Sequence, residues 1–206
     1  MKLIELTHTI AEAEATTRQE LDIGDNNFSY TGVVYDFSHN SMVGTYIDFP
    51  GHIKETDDGR DAASFPIERL FRIDATVVHL DRESGSGSVS AAELQDACPK
   101  EINGGALIIN ALGHRRFDEI DHQSVYLSSE AGAWICQTGI HLFASDVYES
   151  TPKLQNIFYG MFESGISTIC QPVNLHLLDQ PRVKLTALPA RFEQVTQVPC
   201  RVIAEL

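Results

Sequence analysis

The order of apolar runs in the second half of the chain constrains the fold most strongly. A glycine-started run at 104–112, rich in β-branched residues, is typical of a buried strand. Similar runs follow at 140–146 and 166–173, and segments with helical signals precede each of them, at 128–139 and 156–165. Strand, helix, strand, helix, strand in that order predicts an α/β fold.

Capping residues predict where the helices begin and end. Ser90, with Glu93 three residues later, forms a capping box and predicts a helix that runs to about Cys98. Ser128 is placed to cap a second helix, which Gly139 closes, and a third helix ends at a glycine in the same way.

The remaining strands are predicted in the first third and in the tail. Apolar or alternating runs lie at 2–6, 28–36, 41–48, 73–81, 183–192 and 200–206. The polar, acid-rich stretch before Asn27 has no clear period, and we interpret residues 8–27 as a candidate arm that reaches a neighbouring subunit. Because 206 residues are a tight fit for two cores, we predict one domain over 1–206.

Composition excludes some partners. A formal charge of -14 repels phosphates, so neither nucleic acid nor an anionic membrane is an expected partner. We find no apolar segment of the length needed for a signal peptide or a membrane span, and we expect a cytoplasmic protein. Four cysteines without a CxxC pair are expected to be buried thiols in a reducing compartment.

Residues 41–52, SMVGTYIDFPGH, carry the candidate chemistry. In a strand alternate residues share a face, so Met42, Tyr46 and Asp48 are expected to point the same way. A Pro-Gly turn then brings His52 back towards Asp48, and a carboxylate beside an imidazole is the arrangement of a general acid or base. The alternative is that both side chains only bind loop backbone at a strand end, and composition alone favours it.

This segment resembles HxGTHxDxPxH, the signature of the kynurenine formamidase-like hydrolases, which form the putative cyclase family together with isatin hydrolase. The matching positions are Gly44, Thr45, Asp48, Pro50 and His52. The resemblance covers nearly the whole chain, through IELTHTI, FPIERLFRIDATVV, GGALIINALG, SSEAGAWICQTGIHLFASD, LTALPARF and PCRVIAEL.

The resemblance implies a swivelling β/β/α domain with a mixed central sheet, assembled as a homodimer or a higher homo-oligomer. It also implies hydrolysis of an amide, a lactam or a related bond with the help of a divalent zinc or manganese ion. Such a metal lowers the pKa of its bound water and polarises the carbonyl under attack. In the family the last histidine of the signature, His52 here, serves as acid or base.

The expected metal ligands are replaced in this sequence. Met42 and Tyr46 stand where the signature has histidines, and Asp48 alone of the three early ligands is retained. Alignment of the later helix and strand puts Phe158 at a histidine position and Cys170 at a glutamate position. One carboxylate does not hold zinc or manganese, so we predict no metal. A Cu(I) site at Met42 and Cys170 is the chemical alternative, although such side chains more often fill space.

Substrate binding is assigned to Met42, Phe158, Cys170 and Gln171.

Two functions remain open at this point. In the first, His52 acts as acid or base, Asp48 orients it and Tyr46 donates a hydrogen bond to a developing oxyanion. This would be an arylformamidase-like hydrolase of a small-molecule amide, lactam, lactone or ester, or a metal-independent lyase or isomerase. Cys170 would be a nucleophile only with His52 beside it. The second function is a non-catalytic small-molecule binding or partner subunit on the same fold. The other histidines considered are expected to be structural or exposed: His8, His39, His114, His122, His141 and His176.

Overall fold

The computed structural model describes residues 1–11, 16–98, 101–102, 104–121, 124–149 and 156–206. The strands within these ranges are β1 (Leu3–Glu5), β2 (Thr16–Gly24), β3 (Ser29–Phe37), β4 (Tyr46–Asp48), β5 (Ile73–His79), β6 (Gly87–Val89), β7 (Ala106–Asn110), β8 (Val125–Leu127), β9 (Leu142–Ser145), β10 (Ser167–Cys170), β11 (Arg182–Pro189) and β12 (Gln197–Glu205). The α-helices are α1 (Ala91–Ala97), α2 (Ser129–Gln137) and α3 (Ile157–Glu163). Single 3₁₀ turns lie at Pro50–His52, Lys54–Thr56, Ile67–Arg69 and Leu175–Leu177.

Seven strands close into a barrel in the order β4, β12, β11, β5, β7, β9, β10 and back to β4. The run from β5 to β10 is parallel, whereas β4, β11 and β12 pair antiparallel with their neighbours. Closure depends on β12, because one of its edges pairs with β11 and the other pairs first with β4 and then with β1. The predicted α/β class with a mixed central sheet is confirmed. The swivelling β/β/α arrangement stays a prediction.

The barrel wall separates two apolar cores. Ile47, Ile108 and Ile169 belong to the cluster that fills the barrel. Ile109 and Phe143 belong to a second cluster, in which the outer face of the wall packs against the helices. All five residues of β7 are buried, since both of its faces are covered. This burial explains why the parallel strands are uninterrupted apolar runs in the sequence.

The predicted helix signals are confirmed. The Ser90 hydroxyl accepts a hydrogen bond from the Glu93 backbone N–H at 3.2 Å and caps α1. The Ser128 hydroxyl accepts one from Ala131 at 3.1 Å and caps α2 in the same way. Gly139 follows α2 with a φ of 78°, a left-handed conformation that suits a glycine after a helix.

The predicted strand over 41–48 is wrong in its first half. Gly44 has a φ of 62°, and an added Cβ would lie 2.8 Å from the Ile10 side chain and 3.0 Å from the His8 carbonyl oxygen. A left-handed residue interrupts an extended strand, so the regular part begins only at Tyr46. Tyr46 and Asp48 share a strand face as predicted, but Met42 lies outside the strand.

A separate β-hairpin, formed by β2 and β3, takes the place of most of the candidate arm. Its strands pair from Thr16 opposite Phe37 to Gly24 opposite Ser29. The predicted strand at 28–36 is confirmed as β3, whereas β2 lies in the stretch where we found no period. Nearly every residue of the hairpin is exposed. Residues 12–15 of the predicted arm are outside the described ranges.

Candidate active site

The candidate site lies on the outer face of the barrel, where β4 is flanked by β10 and β12. Tyr46 stands opposite Cys170 on β10, and Asp48 stands opposite Gln197 on β12. Their neighbour Ile47 points into the barrel core. Because alternate strand residues face opposite sides, Tyr46, Asp48, Cys170 and Gln197 project outward together, on the side where α3 packs.

Three of these side chains form a buried group of weak acids. Asp48 is 3% exposed, and its Oδ2 accepts a hydrogen bond from the Cys170 thiol with a sulfur–oxygen distance of 3.6 Å. Its Oδ1 is buried without a hydrogen-bond partner in the described part of the chain. Burial raises the pKa of the Asp48 carboxyl, although His52, the Gln197 amide and the Cys170 thiol oppose the rise. Burial also raises the pKa of Tyr46 and of Cys170, and the charge of Asp48 adds to both effects. Burial therefore disfavours ionisation of all three side chains.

Aromatic side chains cover this group from outside. The Tyr148 hydroxyl accepts a hydrogen bond from the Ser145 backbone N–H at 3.1 Å and donates one to the Ile169 carbonyl on β10. Phe158 on α3 stacks on the Tyr148 ring with 5.4 Å between centroids. Burial raises the pKa of Tyr148 well above its usual value, and the neighbouring Cys170 contributes. The predicted substrate contact Phe158 is thus placed in packing against Tyr148.

His52 occupies a different environment. It ends the 3₁₀ turn Pro50–His52, in which its backbone N–H donates to the Phe49 carbonyl at 2.8 Å. The ring is exposed and meets the Phe162 ring edge-on, with 6.3 Å between centroids. Its Nε2 lies 3.3 Å from the amide nitrogen of Gln197, and the Gln197 Oε1 accepts a hydrogen bond from the Ser41 hydroxyl.

The predicted turn brings His52 near Asp48, but the two do not share a hydrogen bond within the described residues. His52 acts on Asp48 through its charge, which lowers the pKa of the carboxyl. Gln197 is the polar side chain that both of them approach. Cys170 shows none of the features of a nucleophile, because its pKa is raised and its described partners are Asp48, Thr168 and Tyr46.

Met42 and Gln171, both predicted to bind substrate, line a cleft of about 370 Å³, and Gln171 directly follows Cys170 in the chain. Met42 is 51% exposed, and Gln171 adopts a left-handed conformation with a φ of 56°. Thr45 joins the walls of the cleft, since its hydroxyl donates to the Gln171 carbonyl at 2.8 Å and accepts from the His8 backbone N–H at 2.8 Å. The described lining consists of His8, Thr9, Ile10, His39, Asn40, Met42, Val43, Gly44 and Gln171.

The predicted site residues are thus distributed over the buried group, the cleft wall and the exposed turn. The sequence prediction missed Gln197, because the strand was expected to begin at 200 and β12 begins at Gln197. It also missed Tyr148, whose role depends on contacts with other elements. Ser41 was within the quoted segment, and a hydroxyl directly before the cleft-lining Met42 gave no signal of its own. His8 and His39 were treated as structural or exposed and are in the cleft lining. His122 lies outside the described residues.

The residues around Asp48 do not fit a divalent metal. Among the described side chains, no three His, Cys, Asp or Glu groups converge at ligand distances. Tyr46 and Cys170 would have to lose protons that their surroundings retain. The Asp48 Oδ1 has no hydrogen-bond partner among the described residues, and a bound cation would satisfy it. Burial raises the pKa of this carboxyl, so a proton is the alternative to a cation.

A family model described as putative cyclase matches residues 4–150, which include the whole segment 41–52. The chain belongs to the putative cyclase family. The comparison with curated proteins gave no match.

Solved structures share the fold of this cyclase-family protein. Isatin hydrolase A from Labrenzia aggregata superposes with a TM-score of 0.72 and 15% identity, over 98% of this chain and 93% of that one. A protein from Bacillus stearothermophilus described as a predicted metal-dependent hydrolase gives a TM-score of 0.67 and 15% identity, over 98% and 97% of the two chains. A protein described as a novel cyclase gives 0.71 and 12%, over 100% and 88%. Within the described residues, the cyclase-family protein has no helix long and apolar enough to cross a membrane.

Proposed function

We propose that this protein is a hydrolase of a small-molecule amide, lactam, lactone or ester, with His52 as its proton-transferring group. The observation that carries the proposal is the position of His52, an exposed imidazole whose Nε2 contacts Gln197. The Ser41 hydroxyl on the other side of that amide immediately precedes Met42 in the cleft wall. The acid/base group and the cleft are therefore linked by one hydrogen-bonded side chain.

The roles of Asp48 and Tyr46 follow from their burial. Burial raises the pKa of Asp48 and disfavours a charge on the inner side of the site, and Gln197 is the neighbour that Asp48 shares with His52. The raised pKa of Tyr46 keeps its hydroxyl protonated, as a donor to an oxyanion must be. In this proposal the chemistry belongs to His52, while Asp48 and Tyr46 set its surroundings.

We further propose that the reaction proceeds without the divalent ion that the family implies. The side chains at two positions that align with the family's histidine ligands support this. Met42 lies in the cleft wall, and Phe158 stacks on an aromatic ring. The measurement is elemental analysis of protein purified without chelators, together with activity before and after chelator treatment. Less than a tenth of an equivalent of zinc or manganese and unchanged activity are expected; about one equivalent per chain would overturn this part.

A substrate panel tests the activity itself. Formamides, lactams, lactones and esters, including aryl formamides and isatin, are incubated with the wild-type protein and with His52→Ala. We expect hydrolysis of at least one class by the wild type and its loss in the variant. Hydrolysis that survives His52→Ala unchanged would contradict the proposal.

A second function, small-molecule binding without catalysis, is favoured by the burial of Asp48. The cleft supplies imidazole, amide and apolar groups without requiring Asp48 at all. The discriminating result is a panel in which ligands bind the cleft, as shown by Met42 and His39 resonance shifts, while none is turned over.

The proposed assembly is a homo-oligomer in which the hairpin packs on a second copy. One face of the hairpin carries Leu21, Ile23, Tyr30 and Val34, each 42–53% exposed. A two-stranded ribbon alone is marginally stable, so an apolar face of this kind favours a covering partner. Light scattering should show an oligomer for the full chain and a monomer after the hairpin is replaced by a short linker. The same oligomeric state for both proteins would show that the hairpin does not mediate assembly.

We propose a cytoplasmic location because the described cysteines named next are free thiols. Cys136, Cys170 and Cys200 are free cysteines, which fits a reducing compartment. Fractionation of the host cell with thiol trapping measures it, and oxidised cysteines in an exported fraction would count against it.

A further inference from the structure

We infer that Gln197 is a positioning residue, which selects the tautomer of His52 that carries its proton on Nδ1 and its lone pair on Nε2. The geometry of the amide supports the assignment. Gln197 is 8% exposed, so its polar atoms depend on protein partners. Its Oε1 accepts from the Ser41 hydroxyl, which leaves the amide nitrogen facing His52 at 3.3 Å.

Hydrogen-bond accounting then determines the state of the imidazole. An amide nitrogen only donates, and a neutral imidazole accepts at the one nitrogen that lacks a proton. The contact between the two Nε2 atoms is therefore a hydrogen bond only when the His52 proton is on Nδ1. The second amide hydrogen is available to Asp48, whose pKa the Gln197 side chain lowers.

The reversed amide is the competing arrangement. It would turn the carbonyl oxygen towards His52 and the amide nitrogen towards Ser41, and it would require a proton on the His52 Nε2. In that arrangement Asp48 would face the carbonyl oxygen and would lose the amide N–H through which Gln197 lowers its pKa. The two arrangements give opposite tautomers, so a measurement separates them.

The consequence for catalysis rests on the proposed function. A base needs its lone pair held towards the site, and Gln197 holds it on the nitrogen nearest the site's polar side chains. A nitrogen–nitrogen distance of 3.3 Å is at the long end for a hydrogen bond, so a water or substrate donor can replace the amide without a large cost. Ser41 couples this arrangement to the loop that forms the cleft wall.

The first experiment measures the tautomer without any substrate. Nitrogen-15 spectra of imidazole-labelled protein, at a pH where His52 is neutral, report which ring nitrogen is protonated; His52→Gln assigns the signals. We expect a protonated Nδ1 in the wild type. Gln197→Glu should move the proton to Nε2, because a carboxylate accepts only, and Gln197→Met should give a mixture. Gln95→Met, at an exposed position on α1, is the matched control and should leave the signals unchanged.

The second experiment measures turnover of whichever substrate the panel identifies. Gln197→Met and Gln197→Glu should lower kcat by about tenfold or more with little change in KM, since only the active tautomer is depleted. Circular dichroism and thermal melts confirm that each variant is folded before it is compared.

Two outcomes overturn the inference: a wild-type His52 protonated on Nε2, or a Gln197→Glu variant in which the tautomer does not change. Both are read from the free protein. If the panel shows no hydrolysis, the proposed function fails while the tautomer assignment is still decided by the spectra.

Discussion

Two groups of polar side chains, which meet at β4 and the turn that follows it, differ in their exposure to water and in their hydrogen bonds. Asp48, Tyr46 and Cys170 are nearly excluded from water, and this burial raises the pKa of each. His52 is exposed, and its Nε2 lies 3.3 Å from the amide nitrogen of Gln197. Of Asp48 and His52 only His52 is exposed, so burial and not separation along the chain distinguishes the two side chains.

The largest difference is expected in activity. His52→Ala should reduce the turnover of any substrate found by about 10²- to 10⁴-fold, the usual contribution of a general acid or base. Asp48→Asn, which keeps the size of the side chain, should retain activity within about tenfold, because Asp48 is buried and is not part of the cleft lining. Steady-state kinetics on both variants measures the contrast, and equal losses would mean that the two groups act as one unit.

The free energy of unfolding should respond most to substitution of Tyr148, one of the aromatic side chains that pack over the buried group. Tyr148→Phe removes the acceptor of the Ser145 backbone N–H, and a buried donor left without a partner costs about 1–3 kcal/mol. Urea unfolding followed by far-ultraviolet circular dichroism gives the difference. Tyr159→Phe, at a 39% exposed position on α3, is the matched control and should be neutral. An unchanged midpoint for Tyr148→Phe would show that water replaces the hydroxyl.

The pH dependence of stability should reveal the protonation state of Asp48. Its pKa is raised in the folded protein, so its contribution to stability is present at pH below the unfolded value and is lost as pH rises through the folded value. Asp48→Asn should therefore be more stable than the wild type at pH 7, because burying an amide carries no cost of ionisation.

The advantage should shrink as the pH is lowered towards about 4, near the value for an unfolded aspartate. Unfolding midpoints across this range for both proteins provide the test. A variant less stable than the wild type at pH 7 would indicate that the ionised carboxylate has a stabilising partner.

The smallest effect on turnover is expected for substitution of Cys170. Cys170→Ala should alter turnover by less than about tenfold, since a thiol with a raised pKa is a poor nucleophile. Thiol alkylation followed by mass spectrometry should label Cys170 far more slowly than Cys136, which is only partly buried. Rapid labelling of Cys170, or a loss comparable with that of His52→Ala, would place the thiol in the reaction.

Much of the fold was predictable because its signals are local. Capping serines lie three residues from the N–H groups they bind, and a strand buried on both faces is a continuous apolar run. Closure of the barrel was not predictable in this way, because β12 pairs with strands from both ends of the chain. The start of β4 was mispredicted since the left-handed Gly44 interrupts a run that alternates well.

For the site, the sequence specifies which side chains are available in the segment 41–52: Met42, Tyr46, Asp48 and His52. Their burial and their contacts depend on the tertiary structure. The position of Gln197, 145 residues from His52, and the burial of Asp48 beneath α3 and Tyr148 follow from strand register and packing. Protonation depends on water access and on charged neighbours, which no short motif encodes.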